Sequence, residues 1–337
     1  MRKLLLLTAA SIMVSSGAMA EEIKLGIIFG FTGPIESLTG PMASGAEMAM
    51  QEVSDSGLLL GGATVVSVRG DSTCIDSALA VAAAERLITA DKVNAIIGAD
   101  CSGVTSAILQ NVARANGIVM ISPSATSPAL STAEDDGLFF RTAPSDAREG
   151  QVMTEVIMEH GIMSVALTYT NNDYGKGLAD SFRNAFEAAG GTVTIYASHE
   201  DGKADYAAEV GALASAGGDV LVVAGYLDQG GRGIIQSSLD TGAFDRFVLP
   251  GGMIGDNILT IGDDLNGSFG QMAGNDSPGM ATFADLTEAL GFDGTSPFVP
   301  ESYDAAALVL LDTLTAGSSR RSALNDTVVD AVRAPGR

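Results

Sequence analysis

The stretch EIKLGIIFGFTGPIESLTGPMASGAEMAMQEV, residues 22–53, decides how the rest of the chain is read. Residues 23–29 form an almost unbroken apolar run of strand length. The turn residues Thr32-Gly33-Pro34 follow, and residues 42–53 then carry apolar side chains at helical spacing. The next β-branched run is 64–69. An apolar strand that leads into a helix and then a second strand is the unit of a parallel sheet covered on both faces.

The same alternation continues in both directions from that unit. Residues 95–97 and 118–121 read as strands, and 75–89 and 104–116 as helices. A second series has strands at 165–169, 192–196, 220–224 and 247–249, with helices at 151–160, 178–189, 206–216 and 233–239. Two tandem series predict an α/β fold of two doubly wound parallel-sheet (Rossmann-like) lobes joined by a hinge. The break falls near 141–148, where Thr142-Ala143-Pro144-Ser145-Asp146 reads as a linker running into a helix cap.

Ahead of this sits an export signal. Arg2 and Lys3 precede an apolar stretch at 4–14, and Ala18-Met19-Ala20 places small residues for cleavage before Glu21. The apolar stretch is shorter than the ~20 residues a membrane span needs. No Cys follows the cleavage point to carry a lipid. A soluble periplasmic protein is therefore expected. Loss of residues 1–20 moves the formal charge from −23 to −25, since only Arg2 and Lys3 go with them. Such a surface repels phosphate backbones, so nucleic acid is not an expected partner. Cys74 and Cys101 are the two cysteines. In an oxidising compartment a disulfide is favoured over two separate buried thiols.

Open α/β sheets bind ligands beyond the carboxyl ends of their strands. The loops there hold Ser102, Ser124 and Thr126 in the first series, and Tyr174 and Tyr226 in the second. Ser102 precedes a predicted helix, where it either caps the helix or meets an anion. Ser124 and Thr126 lie in an ordinary-looking turn, and a loop Tyr beside Gly can simply pack. Catalytic patterns are scarce. His160 and His199 are the two histidines, both read as surface residues, and there is no nucleophile elbow, P-loop or zinc helix. No catalytic residue, cofactor or metal is expected.

Several segments, taken in order, carry a family resemblance. They are Thr32-Gly33-Pro34, Cys101-Ser102, Ile121-Ser122-Pro123-Ser124-Ala125-Thr126, Asp173-Tyr174-Gly175-Lys176-Gly177, Gly225-Tyr226 and Ser302-Tyr303-Asp304-Ala305-Ala306. Over residues 23 to about 315 the chain resembles the periplasmic branched-chain amino-acid (leucine/isoleucine/valine-type) binding proteins of ABC transporters, which have the type I periplasmic binding fold. The resemblance implies that Ser102 and Thr126 take a ligand carboxylate. It gives the Ser124 carbonyl and Thr126 hydroxyl to the ammonium, and it has Tyr174 and Tyr226 close from the second lobe. It places Cys74 and Cys101 where a first-lobe disulfide lies, and Leu38 or Thr39 where the family has an aromatic contact. The family usually supplies an acid after the strand at 247–249 to pair with the ammonium. Here that loop reads Pro250-Gly251-Gly252-Met253, with Asp256 close by. The resemblance also implies a shortened C-terminus.

The domains expected on this basis are a signal peptide at 1–20, an N-terminal lobe of 21–142 plus about 270–316, and a C-terminal lobe of 143–269 plus about 317–337. The expected function is that of a non-enzymatic, monomeric solute-binding protein. It would capture a small amino acid, branched-chain or related hydrophobic, by lobe closure for delivery to an ABC transporter membrane permease. The alternatives are a binding protein for an amine-free carboxylate or amide, a ligand-sensing subunit, and, last, an enzyme on the same scaffold.

Overall fold

Five parallel strands alternate with helices in each half of the computed structural model, which describes residues 21–274 and 277–333. The signal peptide lies outside the described residues. In the first half the strands are β1 (Glu22–Phe29), β2 (Thr64–Asp71), β3 (Ala95–Gly98), β4 (Met120–Ser122) and β5 (Phe139–Arg141). Helices α1 (Glu36–Ser56) and α2 (Ser77–Thr89) connect the first three. Helix α3 (Ser102–Ile108) runs through a π turn (Leu109–Ala113) into α4 (Arg114–Asn116). The second half has α5 (Asp146–Glu159), β6 (Ser164–Thr170), α6 (Asp173–Ala188), β7 (Thr192–His199), α7 (Ala207–Ala216), β8 (Val220–Ala224), α8 (Gly230–Thr241), β9 (Phe247–Leu249) and β10 (Phe269–Gly270).

The two sheets have the orders β2-β1-β3-β4-β5 and β7-β6-β8-β9-β10, one topology used twice. Every pairing is parallel. Burial explains the apolar runs. Ile23, Leu25, Ile27, Ile28 and Phe29 of β1 are inaccessible, and so is every residue of β8, because helices cover both faces.

Helix starts are where sequence and structure part. Helix α1 begins at Glu36, six residues ahead of the expected start, and carries Pro41 inside it. Pro41 sits so early that it forfeits only the bond to the Ser37 carbonyl, so the helix continues through it. Helix α5 begins at Asp146, where Ser145 caps it by accepting from the Ala147 N–H, and α6 begins at Asp173 behind the Asn172 cap. The strands β5 and β10 are too short to show a period.

After β10 the chain returns to the first sheet with α9 (Pro278–Leu290), α10 (Val299–Ala316) and α11 (Arg321–Arg333). Helix α10 lies along α1, and Gly45 permits the contact: a Cβ there would stand 2.7 Å from the Val299 carbonyl oxygen. Phe283 of α9 meets Tyr303 of α10 edge-on, with ring centroids 5.4 Å apart. The placement of 317–337 in the second lobe is corrected for residues 317–333. Arg321 donates to the carbonyls of Ile88 (3.1 Å) and Val93 (3.0 and 2.7 Å), and Asn325 donates to Gly117 (2.8 Å). Leu324 and Val328 are fully buried in the same core. The guanidinium satisfies carbonyls at the end of α2, which holds α11 on the first lobe.

Cys74 and Cys101 form a disulfide, with Cα atoms 5.2 Å apart. It ties the loop after β2 to the loop after β3. Among the described residues no helix is long and apolar enough to cross a membrane. His199, read as a surface residue, is buried at the end of β7 with its Nδ1 2.8 Å from the Thr168 hydroxyl. Burial pushes its pKa down to about 4.

Candidate ligand-binding site

Loops from both sheets line one cavity beyond the carboxyl ends of the strands. All five candidate residues line it. Ser102 opens α3, and Ser124 and Thr126 come from the loop after β4. Tyr174 comes from the first turn of α6, and Tyr226 from the turn after β8. Sequence reasoning missed Ile35, Met42, Asp100, Glu149 and Phe298, which share the lining with them.

The hydroxyl wall is built by short-range bonds. Ser102 Oγ accepts the Ser127 N–H at 3.1 Å, which leaves its own proton free to donate into the cavity. The Ser124 hydroxyl donates to the Asp100 carbonyl at 3.0 Å. The Thr126 carbonyl accepts the Asp146 N–H at 2.9 Å, so this loop is fastened to the start of α5. Arg141 reinforces it by donating to the carbonyls of Ala125 (3.1 Å) and Ser127 (2.9 Å).

Opposite stand the two tyrosines, stacked with ring centroids 5.0 Å apart and planes 18° apart. Burial, reinforced by nearby carboxylates, pushes both phenols well above the ordinary range, so they are neutral hydroxyls. The Tyr174 hydroxyl accepts the Gly252 N–H at 3.2 Å. A Cβ on Gly252 would lie 2.6 Å from that hydroxyl and 2.8 Å from the Gly225 carbonyl. Any side chain there, acidic or otherwise, would force its neighbours to shift. Asp256 is exposed and does not line the cavity. Apolar side chains of α1, Leu38 and Met42, line the cavity together with Ile35 just before that helix and the Phe298 ring.

Two carboxyl groups reach the lining. Asp100 accepts the Gly30 N–H (2.6 Å) and the Ser72 hydroxyl (3.0 Å), and burial pushes its pKa up to about 6. Glu149, four residues into α5, accepts the Gly251 N–H (3.0 Å) and the Gln271 amide (3.1 Å) on one oxygen. Behind it Asp146 is wholly buried, with its carboxyl group beside Thr126 and Glu149. Burial first, and then the charge of Glu149, raises the Asp146 pKa well above the carboxylate range.

The cleft is spanned by protein alone. Asp228, after β8, accepts the Ser37 N–H and hydroxyl at 2.9 Å each, and its own N–H donates to the Pro34 carbonyl at 2.9 Å. Asn257 steadies the same carboxylate at 2.7 Å.

The model of the periplasmic binding protein family matches residues 22–334. The chain belongs to that family. This periplasmic binding protein is 31% identical over 244 residues to Leu/Ile/Val-binding protein homolog 3 of Brucella melitensis, a match covering 72% of the chain and 64% of the relative. It is 28% identical over 320 residues to Leu/Ile/Val-binding protein homolog 1 of Brucella abortus, covering 94% and 83%. Among solved structures, the binding protein superposes on the leucine binding protein LivK from Thermotoga maritima with a TM-score of 0.80 at 24% identity, covering 91% of this chain and 87% of that one. The substrate binding protein LivJ from Streptococcus pneumoniae, in complex with isoleucine, gives 0.78 at 24% identity, covering 91% and 88%. A Rhodopseudomonas palustris solute binding protein in complex with benzoate also gives 0.78, at 20% identity, covering 91% and 85%. At these identities the structural likeness speaks for the fold.

Proposed function

We propose that this protein is the periplasmic receptor of an ABC transporter, capturing a small apolar amino acid between its lobes and presenting it to the membrane permease as a monomer. Ser102, Ser124, Thr126, Tyr174 and Tyr226 are the contacts. The observation that carries the reading is the single cavity these five share, with hydroxyl donors from one lobe facing neutral phenols from the other. A ligand touching both walls favours the closed form by its differential affinity for it, which is what a capture-and-deliver cycle requires. The apolar side chains of α1 and Phe298 suit an aliphatic side chain. The names of the Brucella relatives agree with this choice of ligand. Export to the periplasm follows from the leader at 1–20, and the receptor binds its cargo without transforming it.

Calorimetry with leucine, isoleucine and valine tests the reading. A hydrogen bond to a charged group contributes about 1.5–3 kcal/mol, so Ser102→Ala should weaken binding by about tenfold or more with the fold intact. Unchanged affinity in Ser102→Ala would remove the hydroxyl wall from the site.

A further inference from the structure

The cavity is lined by two carboxyl groups, Asp100 and Glu149, and, among the described residues, by no Lys, Arg or His. Both Asp100 oxygens are taken by protein donors, Gly30 N–H and the Ser72 hydroxyl. Glu149 receives two neutral donors on one oxygen and, among the described residues, has no ion pair. The neighbouring cations are committed elsewhere. Arg148 bonds Gln151 (3.1 Å) and pairs with Glu155 (3.5 Å), while Arg141 serves loop carbonyls and the Ser131 hydroxyl and its charge acts on Asp146. Asp146 behind it favours its neutral form, and Glu149 is the carboxyl group of this corner that lines the cavity. A half-buried carboxylate without a cation carries a desolvation cost, and a ligand that brings a cation offsets it.

Position agrees with charge. A Cβ placed on Gly251 would stand 3.7 Å from Glu149 Oε1, so the carboxylate lies against the loop after β9. It arrives from α5 because the helix starts at Asp146, which turns residue 149 toward the cavity beside Thr126. We propose that Glu149 is the specificity-determining carboxylate that holds the ligand's ammonium group, so that the pocket takes amine-bearing acids and discriminates against acids without an amine. This rests on the amino-acid reading above.

The experiment titrates the mature protein, its Glu149→Gln and Glu149→Asp variants, and Asp100→Asn, with two probes by calorimetry. The probes are leucine and 4-methylpentanoate, which is leucine without its amine. Breaking a buried charge pair from one side costs about 3–5 kcal/mol, so Glu149→Gln should bind leucine about a hundredfold or more weaker. It should lose most of the preference for leucine over 4-methylpentanoate. Glu149→Asp, which keeps the charge, should retain part of both, and it answers the question if the Gln variant folds poorly. A wild type that binds leucine alongside a folded Glu149→Gln within threefold of it overturns the assignment. Loss of leucine in Asp100→Asn but not in Glu149→Gln overturns it in favour of Asp100. A wild type that prefers 4-methylpentanoate, or binds neither probe, removes the amino-acid reading itself, which separates that failure from failure of Glu149.

Discussion

Replacing Gly252 with alanine tests the construction of the aromatic wall. The new Cβ would lie 2.6 Å from the Tyr174 hydroxyl and 2.8 Å from the Gly225 carbonyl oxygen. Ordinary contacts begin near 3.4 Å, and the carbonyl belongs to backbone that cannot swing away. Tyr174 must therefore shift, giving up the Gly252 N–H bond at 3.2 Å and disturbing the stack on Tyr226. Overpacking of this kind costs about 1–3 kcal/mol. For lobes of this size that corresponds to a melting midpoint lower by about 2–12 °C. Ligand affinity should fall by roughly 5- to 150-fold, because the displaced ring enters the cavity. Gly251→Ala is the control: its Cβ would meet Glu149 and the Phe298 ring at 3.7 Å each, an ordinary contact, so its melting midpoint should match wild type. Differential scanning calorimetry and titration calorimetry read both effects. If Gly252→Ala melts and binds as wild type does, the explanation of the glycine pair is refuted.

Other perturbations have equally definite outcomes. Asp100 is raised to about 6 in the folded state, so its charged form is disfavoured there and its stabilising effect is present below the unfolded pKa and lost as pH rises from about 4 to 6. At 1.36 kcal/mol per pH unit the cost above pH 6 is about 3 kcal/mol. Asp100→Asn can keep both bonds, accepting from Gly30 and donating to Ser72. In urea unfolding it should exceed wild type in stability at pH 7, with the advantage gone by pH 4. His199, lowered to about 4, acts in the opposite sense: its stabilisation is present above pH 6.5 and lost as pH falls from there to about 4, so Asp100→Asn should show a steeper acid decline than wild type. Reducing the Cys74–Cys101 disulfide reopens a loop of sequence separation 27 and should lower unfolding free energy by about 3–4 kcal/mol in denaturant titrations run with and without dithiothreitol. Asp228→Ala removes the bonds that cross the cleft to Ser37, and the pair is half-buried, so about 1–2 kcal/mol of closed-state preference should go. Small-angle scattering should then find the unliganded protein more open, and calorimetry should find leucine bound about 5- to 30-fold weaker.

Strands were legible because parallel-sheet burial makes them continuously apolar, and residues 220–224 and 247–249 coincide with β8 and β9. The five expected residues all line the cavity at that edge, Ser102 and Tyr174 from helix starts, since topology alone assigns ligands to that edge of a sheet. Glu149 was hidden for a specific reason. Its segment contains Pro144, Ser145 and Asp146, which read as a linker, whereas Asp146 and Glu149 form an acidic first turn that suits a helix N-terminus. The capping signal at Ser145, with acids following, was the available clue. Phe298 could not be found from its neighbours: its φ of 63° is a conformation only tertiary packing imposes on a phenylalanine. His199 misled because a polar turn beside it concealed that β7 runs on to that residue.

Helices α10 and α11 complete a lobe that the chain begins more than two hundred residues earlier, as the contacts of Tyr303 with Glu52 and of Ser319 with Glu21 illustrate. Both sheets are contiguous in sequence, but only the first waits for helices from the end of the chain. A polypeptide emerging N-terminus first, from a ribosome or a translocation pore, therefore finishes its middle before its beginning. Until α10 arrives, the flank of α1 at Gly45, which packs on Val299, has no cover and is a target for holding chaperones. Truncations within α10 should trap a folded second lobe attached to an unfinished first one. The assembly order is thus a property of connectivity rather than of lobe stability.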